Sequence, residues 1–491
     1  MAAVFLLLSA ESGAMADPIF AGPRLSPRDL ALMNRVTWGA DEADAATIAR
    51  LGASRWLDRQ LHPAAGDHLP PAIQARIDAM AERHAPLVDR FVAAQAQQRA
   101  LKDIGDPDAK AAARKAYDQI LNEAAREAAE RSVLRDLYSP DQLREQMTWF
   151  WFNHFNVHQS KANIRLLIGD YEDRALRPHA LGRFRDLLAA TLRHPAMLRY
   201  LDNAENAVGH VNENYAREIM ELHTLGVGGG YSQADVQELA RILTGVGIDG
   251  NPEDPRLPPT LRGQLVRDGL FEFNPRRHDY GDKVFLGHAI RGRGLAEVDE
   301  ALDILSRQPA TARHVSRDLA LFLIGDDPPP ALVERMSRVF LASDGDIARV
   351  LATLFRSPEF DASLGTRFKD PVHYVMSTVR LSCEDRPIDD VSPVVGLIGR
   401  LGEGLYGHET PDGYSLRSAS WNGPGQMEGR FEVARRLAGA ALPACADLRQ
   451  AVEAEGLAPP PSAATGRALA QALSPADWNT LFLSSPDFMR R

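Results

Sequence analysis

Cysteine is almost missing from this chain: two residues, Cys383 and Cys445, stand among 491. Two cysteines so far apart form neither a CxxC zinc knuckle nor a disulfide framework. They leave two readings, a pair of buried thiols, which cysteine's burial habit favours, or one bridge in an exported chain. Long apolar runs are missing too. No segment reaches the roughly 18 consecutive apolar residues of a transmembrane helix, so no membrane anchoring is expected. Positive charge is in the minority, with 56 Lys and Arg against 66 Asp and Glu and a net charge of -10. Without a basic tail or a Lys/Arg-rich run, nucleic acid is excluded as a partner. There is no GxSxG, neither cysteine neighbours a histidine, and no glycine run continues into Lys-Ser or Lys-Thr. A nucleophile elbow and a phosphate-cradling loop are therefore unsupported. The run Gly226-Val227-Gly228-Gly229-Gly230 reads as a helix C-cap and turn.

What remains is an ordinary globular balance, 45% hydrophobic and 25% charged. Strong helix formers dominate, and stretches such as 187–201 and 235–243 carry apolar residues at three- and four-residue spacing. Alternating runs are few: residues 264–273 are the best strand, with 283–286 as its partner. The spacing predicts a mainly α, large multi-helical architecture with a small β-hairpin insertion near residues 264–287. Punctuation divides the chain into an N-terminal extension (1–25), a helical domain (26–435) and a C-terminal helical tail (436–491). Within the domain, Ser26-Pro27 starts a helix. Residues 84–137 form a hairpin with solvated charged faces, broken at Gly105-Asp106-Pro107, and residues 250–290 form a loop-rich insertion. The 403–430 stretch, rich in glycine and aromatics, reads as an ordered loop. In the extension, Ala2 to Ala10 is apolar and Ala14-Met15-Ala16 resembles a signal-cleavage site, yet no Lys or Arg precedes it. A signal peptide and a start at Met15 both stay open.

Three patches could carry chemistry. In MTWFWFNHFNVH (147–158), His154 and His158 are four residues apart and would share one face of a buried helix, half a site for a divalent transition metal. In HVNENYAREIMELH (210–223), His210, Asn214, Glu218 and Glu221 fall within about 80° on a helical wheel, beside the apolar stripe. Glu218 and Glu221 repel unless a cation or a shared proton intervenes. His223 joins them only if the helix bends or ends at the glycine run. The third patch, Arg276-Arg277-His278-Asp279-Tyr280, sets two cations beside a His-Asp pair in a loop. It could receive a small acidic ligand, although a solvated loop is the simpler reading.

The order of motifs resembles the large bacterial domain-of-unknown-function family numbered 1800. The stretches that carry the resemblance are LMNRVTWGA (32–40), REQMTWFWFNHFNVH (144–158), the block from Arg177 to Asn203, and Asn212 to Gly245. They continue through RRHDYGDKVFLG (276–287), SPEF (357–360) and KDPVHYV (369–375). His154, His158, Asn214, Glu218, Glu221, His223 and His278 match its recurrent pattern, whereas Trp421 to Arg430 departs from it. The resemblance implies a helical fold, frequent export to the periplasm or medium, and a neighbouring exported protein as partner. It implies no reaction. The residues point to a metal-dependent enzyme, hydrolytic or oxidative. His154, His158, Asn214 and His223 are its candidate ligands, and Glu218, Glu221 and His278 its candidate catalytic groups. The alternative is a non-enzymatic envelope partner holding a buried structural His/Glu network.

Overall fold

Local capping signals start many of the helices. Ser26 Oγ accepts from Asp29 N at 3.1 Å ahead of helix Pro27–Val36, and Asp106 Oδ1 accepts from Ala109 N at 2.7 Å ahead of Pro107–Tyr138. Ser232 and Asp235 close a capping box on helix Gln233–Ile242. The computed structural model describes residues 25–383, 386–439 and 448–491. The apolar run, the cleavage-like site and Cys445 lie outside the described residues. Cys383 is disulfide-bonded, so the expectation of a buried thiol there is corrected.

The protein is mainly α-helical, and buried apolar residues from Leu30 to Met489 form one continuous core. At its centre every residue of helix Pro371–Cys383 is buried. Gly39 lets the segment after the first helix lie against it. At φ +139°, a Cβ there would come 2.5 Å from Ser377 Cα. Residues beyond 448 pack into the same core through Trp478, Phe482 and Phe488. Arg491 exchanges backbone hydrogen bonds with Arg367 (2.9 and 3.2 Å), and its carbonyl accepts from Arg35 Nη2 of the first helix at 2.7 Å.

Helices Leu87–Asp103 and Pro107–Tyr138 flank the Gly-Asp-Pro break as a hairpin. Its charged faces, however, are not all solvated. Glu127, Arg131, Arg135 and Asp136 are buried, because Arg131 pairs with Glu82 and Asp173, and Arg135 with Asp173 and Asp67. The strand expectation also needs correcting. Val246–Ile248 (β1), Val266–Asp268 (β2) and Phe271–Phe273 (β3) form an antiparallel sheet in the order β1-β3-β2. Lys283–Phe285 (β4) pairs with His288–Ile290 (β5), not with the 264–273 run. The turn explains this: Leu286 and Gly287 both take positive φ (+49° and +81°), the geometry of a tight two-residue hairpin.

Candidate functional site

Helix Gln142–His154 stops at His154, not at His158. Asn153 and Asn156 turn away to dock the 403–430 loop. Asn153 Nδ2 donates to Tyr414 O (2.9 Å), and Asn156 Nδ2 donates to His408 O and Thr410 O (3.1 and 2.7 Å). The expected His154/His158 pair on one helical turn therefore does not form; His158 lies in the turn beyond. The 210–223 stretch is also not one α-helix. It is helical from Asn214 to Glu218 and widens into a π-turn, Ile219–His223, that ends at Gly226. Gly226 takes φ +84°, and its N–H reaches back to Met220 O at 3.2 Å. The bend that would admit His223 is thus present, and such π-turns recur at functional sites.

Facing these two ends is helix Pro309–Leu323, which places His314 and Asp318 one turn apart on the same face. One ligand atom each of His154, His314 and Asp318 lies within 4.8 Å of the others. His154 Nε2 donates to the His223 carbonyl at 3.1 Å, which leaves Nδ1 as the lone-pair nitrogen, 3.7 Å from Asp318 Oδ2. His314 Nε2 donates to Leu222 O at 3.0 Å and stands 3.5 Å from the same Asp318 oxygen. The His223 ring is 6.2 Å from that of His154, centre to centre, and its buried Nε2 has no hydrogen-bond partner. Gly226 keeps the site open to His314: a Cβ there would approach its Nδ1 to 3.0 Å.

Burial, reinforced by the neighbouring His314, pushes the His154 imidazole down to about 3, and burial pushes His223 well below its usual range. Burial raises the Asp318 carboxyl, opposed by His314 and Arg317. His154 is thus an uncharged imidazole beside a carboxyl. Two imidazole nitrogens and one carboxylate oxygen are a donor set that suits a divalent transition metal, whose ligand atoms sit roughly 3.3–3.5 Å apart at bond lengths of about 2.0–2.2 Å.

The other expected residues lie elsewhere. Asn214 Nδ2 donates to Leu201 O (3.2 Å). Glu218 and Glu221 sit on the flank of the π-turn, half-buried, and burial followed by repulsion from Glu221 raises the Glu218 carboxyl. His278 is buried in a separate structural network, with Nδ1 on Thr244 O (2.8 Å) and Nε2 on Glu297 Oε1 (2.9 Å). Arg277 is clamped on the carbonyls of Ala204 and Asn206, while Arg276 is exposed, so this pair is not a preformed anion cradle. Sequence reasoning missed His314 and Asp318. Their only local signal is the i,i+4 spacing within RHVSRD, which any amphipathic helix can show.

A family model described as "Protein of unknown function (DUF1800)" matches residues 31–490, and the chain belongs to that family. Neither a curated protein nor a solved structure matches the chain.

Proposed function

We propose that this member of the DUF1800 family binds a divalent transition metal through His154, His314 and Asp318, and uses it for hydrolytic or oxidative chemistry in the cell envelope. The observation that carries the reading is the convergence of the three donor atoms within 4.8 Å. The His223 carbonyl supports it by fixing the His154 tautomer with Nδ1 toward Asp318, as outer-shell acceptors do for metal-bound histidines. Three protein ligands leave coordination positions for water or substrate, and a bound ion would supply a Lewis acid and an acidified water. Glu218, on the flank of the π-turn that ends in His223, is the group we propose to accept a proton, and it would have to reach the bound water from there. His158, Asn214 and His278 have no part in this reading. The disulfide at Cys383 supports an oxidising compartment, periplasmic or extracellular. Among the described residues no helix is long and apolar enough to cross a membrane.

The second reading is a structural network in an envelope partner protein. It is favoured by the His314 Nε2 bond to Leu222 O, which a metal on that nitrogen would replace. Elemental analysis after dialysis against zinc, iron or cobalt separates the two. Near-stoichiometric metal that falls at least tenfold in His154→Ala and Asp318→Ala supports the site. Metal content unchanged in the double variant overturns it and leaves the structural network.

A further inference from the structure

A second group of reactive side chains lies away from the histidines, in the KDPVHYV stretch and the helix it starts. Lys369 and Ser377 are both buried, and Lys369 Nζ lies 2.9 Å from Ser377 Oγ. Lys283 offers a useful contrast. It is also buried, but its ammonium is met by Glu297 Oε2 at 2.5 Å and by the Asp279 carbonyl. Among the described residues no carboxylate touches Lys369. Its single oxygen partner among them is the Ser377 hydroxyl, to which Nζ donates, and the Phe488 ring covers it at 3.6 Å. The serine hydroxyl in turn donates to Tyr374 O at 3.3 Å. With one hydroxyl and one ring face to meet three N–H donors, a buried ammonium is costly, whereas a neutral amine would accept the serine proton once the hydroxyl turns from Tyr374 O. The surrounding charges act in the same direction. Burial, with Arg491 and Arg430 nearby and only Asp370 opposing, holds Lys369 well below its usual range.

Both groups line a cavity of about 90 Å³. It runs from exposed Pro27, Pro459 and Arg490 at the rim to Lys369 and Ser377 at depth. Leu381, Phe482 and Phe488 supply its apolar wall. Arg491 lines it too, with a buried Nε that has no acceptor among the described residues. The cavity is smaller than the ~150 Å³ space that holds benzene. It therefore fits a short acyl chain, acetyl to butyryl, and not an aromatic one.

We propose that Ser377 and Lys369 form a serine–lysine acyl-transfer site for short-chain acyl esters. Lys369 Nζ takes the Ser377 proton as Oγ bonds to the acyl carbon, and passes it to the departing alkoxide as the ester C–O bond breaks. Water then attacks the acyl-serine; its proton goes through Lys369 to Oγ, releasing the free acid and restoring the hydroxyl. The test uses the full chain with two small probes, p-nitrophenyl acetate and methanesulfonyl fluoride. Intact mass, peptide mapping of the adduct and nitrophenol release are the readouts. The expected result is one methylsulfonyl adduct on Ser377, absent in Ser377→Ala. Its rate should fall at least about 100-fold in Lys369→Arg, which stays protonated where lysine does not. Labelling should be unchanged after dialysis against a chelator, which separates this site from the metal site. Absence of an adduct on the folded, unaltered protein overturns the proposal. So does an adduct that survives Ser377→Ala, or an unchanged rate in a Lys369→Arg variant whose circular dichroism and melting match the parent.

Discussion

Glu172 is buried beside a small cavity that Asp136, Glu145 and Glu403 also line. The four carboxyls do not share one fate. Arg177 holds Glu145 low through two hydrogen bonds, 2.8 and 2.7 Å, against the pull of burial. Burial, with Asp173 close, pushes Glu172 up to about 7, against Arg131 and the Tyr406 hydroxyl that donates to Oε2 at 2.9 Å. The folded state thus keeps the Glu172 proton that the unfolded chain gives up near 4.5. Stability from this group is complete below pH 4.5 and is lost as the pH rises through about 7. Urea unfolding across that window should show Glu172→Gln gaining on the parent by up to ~3 kcal/mol at the upper end. The Glu297 carboxylate makes the opposite case. It joins His278, Lys283 and the backbone N–H groups of Arg293 and Gly294. Glu297→Ala should cost about 3–5 kcal/mol in chemical denaturation, since it leaves Lys283 buried and unpaired.

At the level of elements, the π-turn Ile219–His223 and its closing glycine set the geometry around His314. Gly226→Ala would force a side chain into φ +84° and against the imidazole. We expect a loss of about 1–2 kcal/mol in unfolding free energy, with weaker metal retention on dialysis. Ser232→Ala, which breaks a capping box remote from the histidines, should cost about 1 kcal/mol and leave metal retention unchanged. These two substitutions also mark what was legible in the sequence. Ser232 with Asp235, and Asp106 before Pro107, act within a few residues of themselves, so their helix starts could be read directly. The end of the helix at His154 could not, because Asn153 and Asn156 are claimed by a loop some 250 residues away, at separations of 261 and 252–254. The partner of β4 was misread for a similar reason. The β4 backbone is held by Glu238 and its turn by Asp235, at 3.2 and 2.8 Å, both from the Gln233–Ile242 helix. His223 was readable on condition of a bend, and the glycine run made the bend. His314 and Asp318 became a site only when the helix carrying them packed against two other chain ends.

Across the whole molecule one core joins the first helix to the last residues. Arg35 is the tie. Its guanidinium donates to Leu323 O and Ser363 Oγ (2.5 and 2.9 Å), and to Ser363 O and Arg491 O (2.5 and 2.7 Å). Arg35→Met keeps much of the volume and leaves these buried acceptors short of a donor. We expect it to lower the unfolding free energy by about 3–5 kcal/mol, read as a reduced midpoint in guanidinium chloride. The Lys369 and Ser377 cavity shares this region, so Arg35→Met should also slow labelling of Ser377.

The Arg35–Arg491 contact spans 456 residues of chain. At a synthesis rate of about 5–20 residues per second, the first helix waits roughly half a minute to a minute and a half for that partner to be made. Through that interval the apolar face of Pro27–Val36, with Leu30, Met33 and Val36, lacks the segment that completes its packing. Full burial of that face is therefore expected only once residue 491 has been synthesised, and a time course of protease resistance on nascent chains should show it.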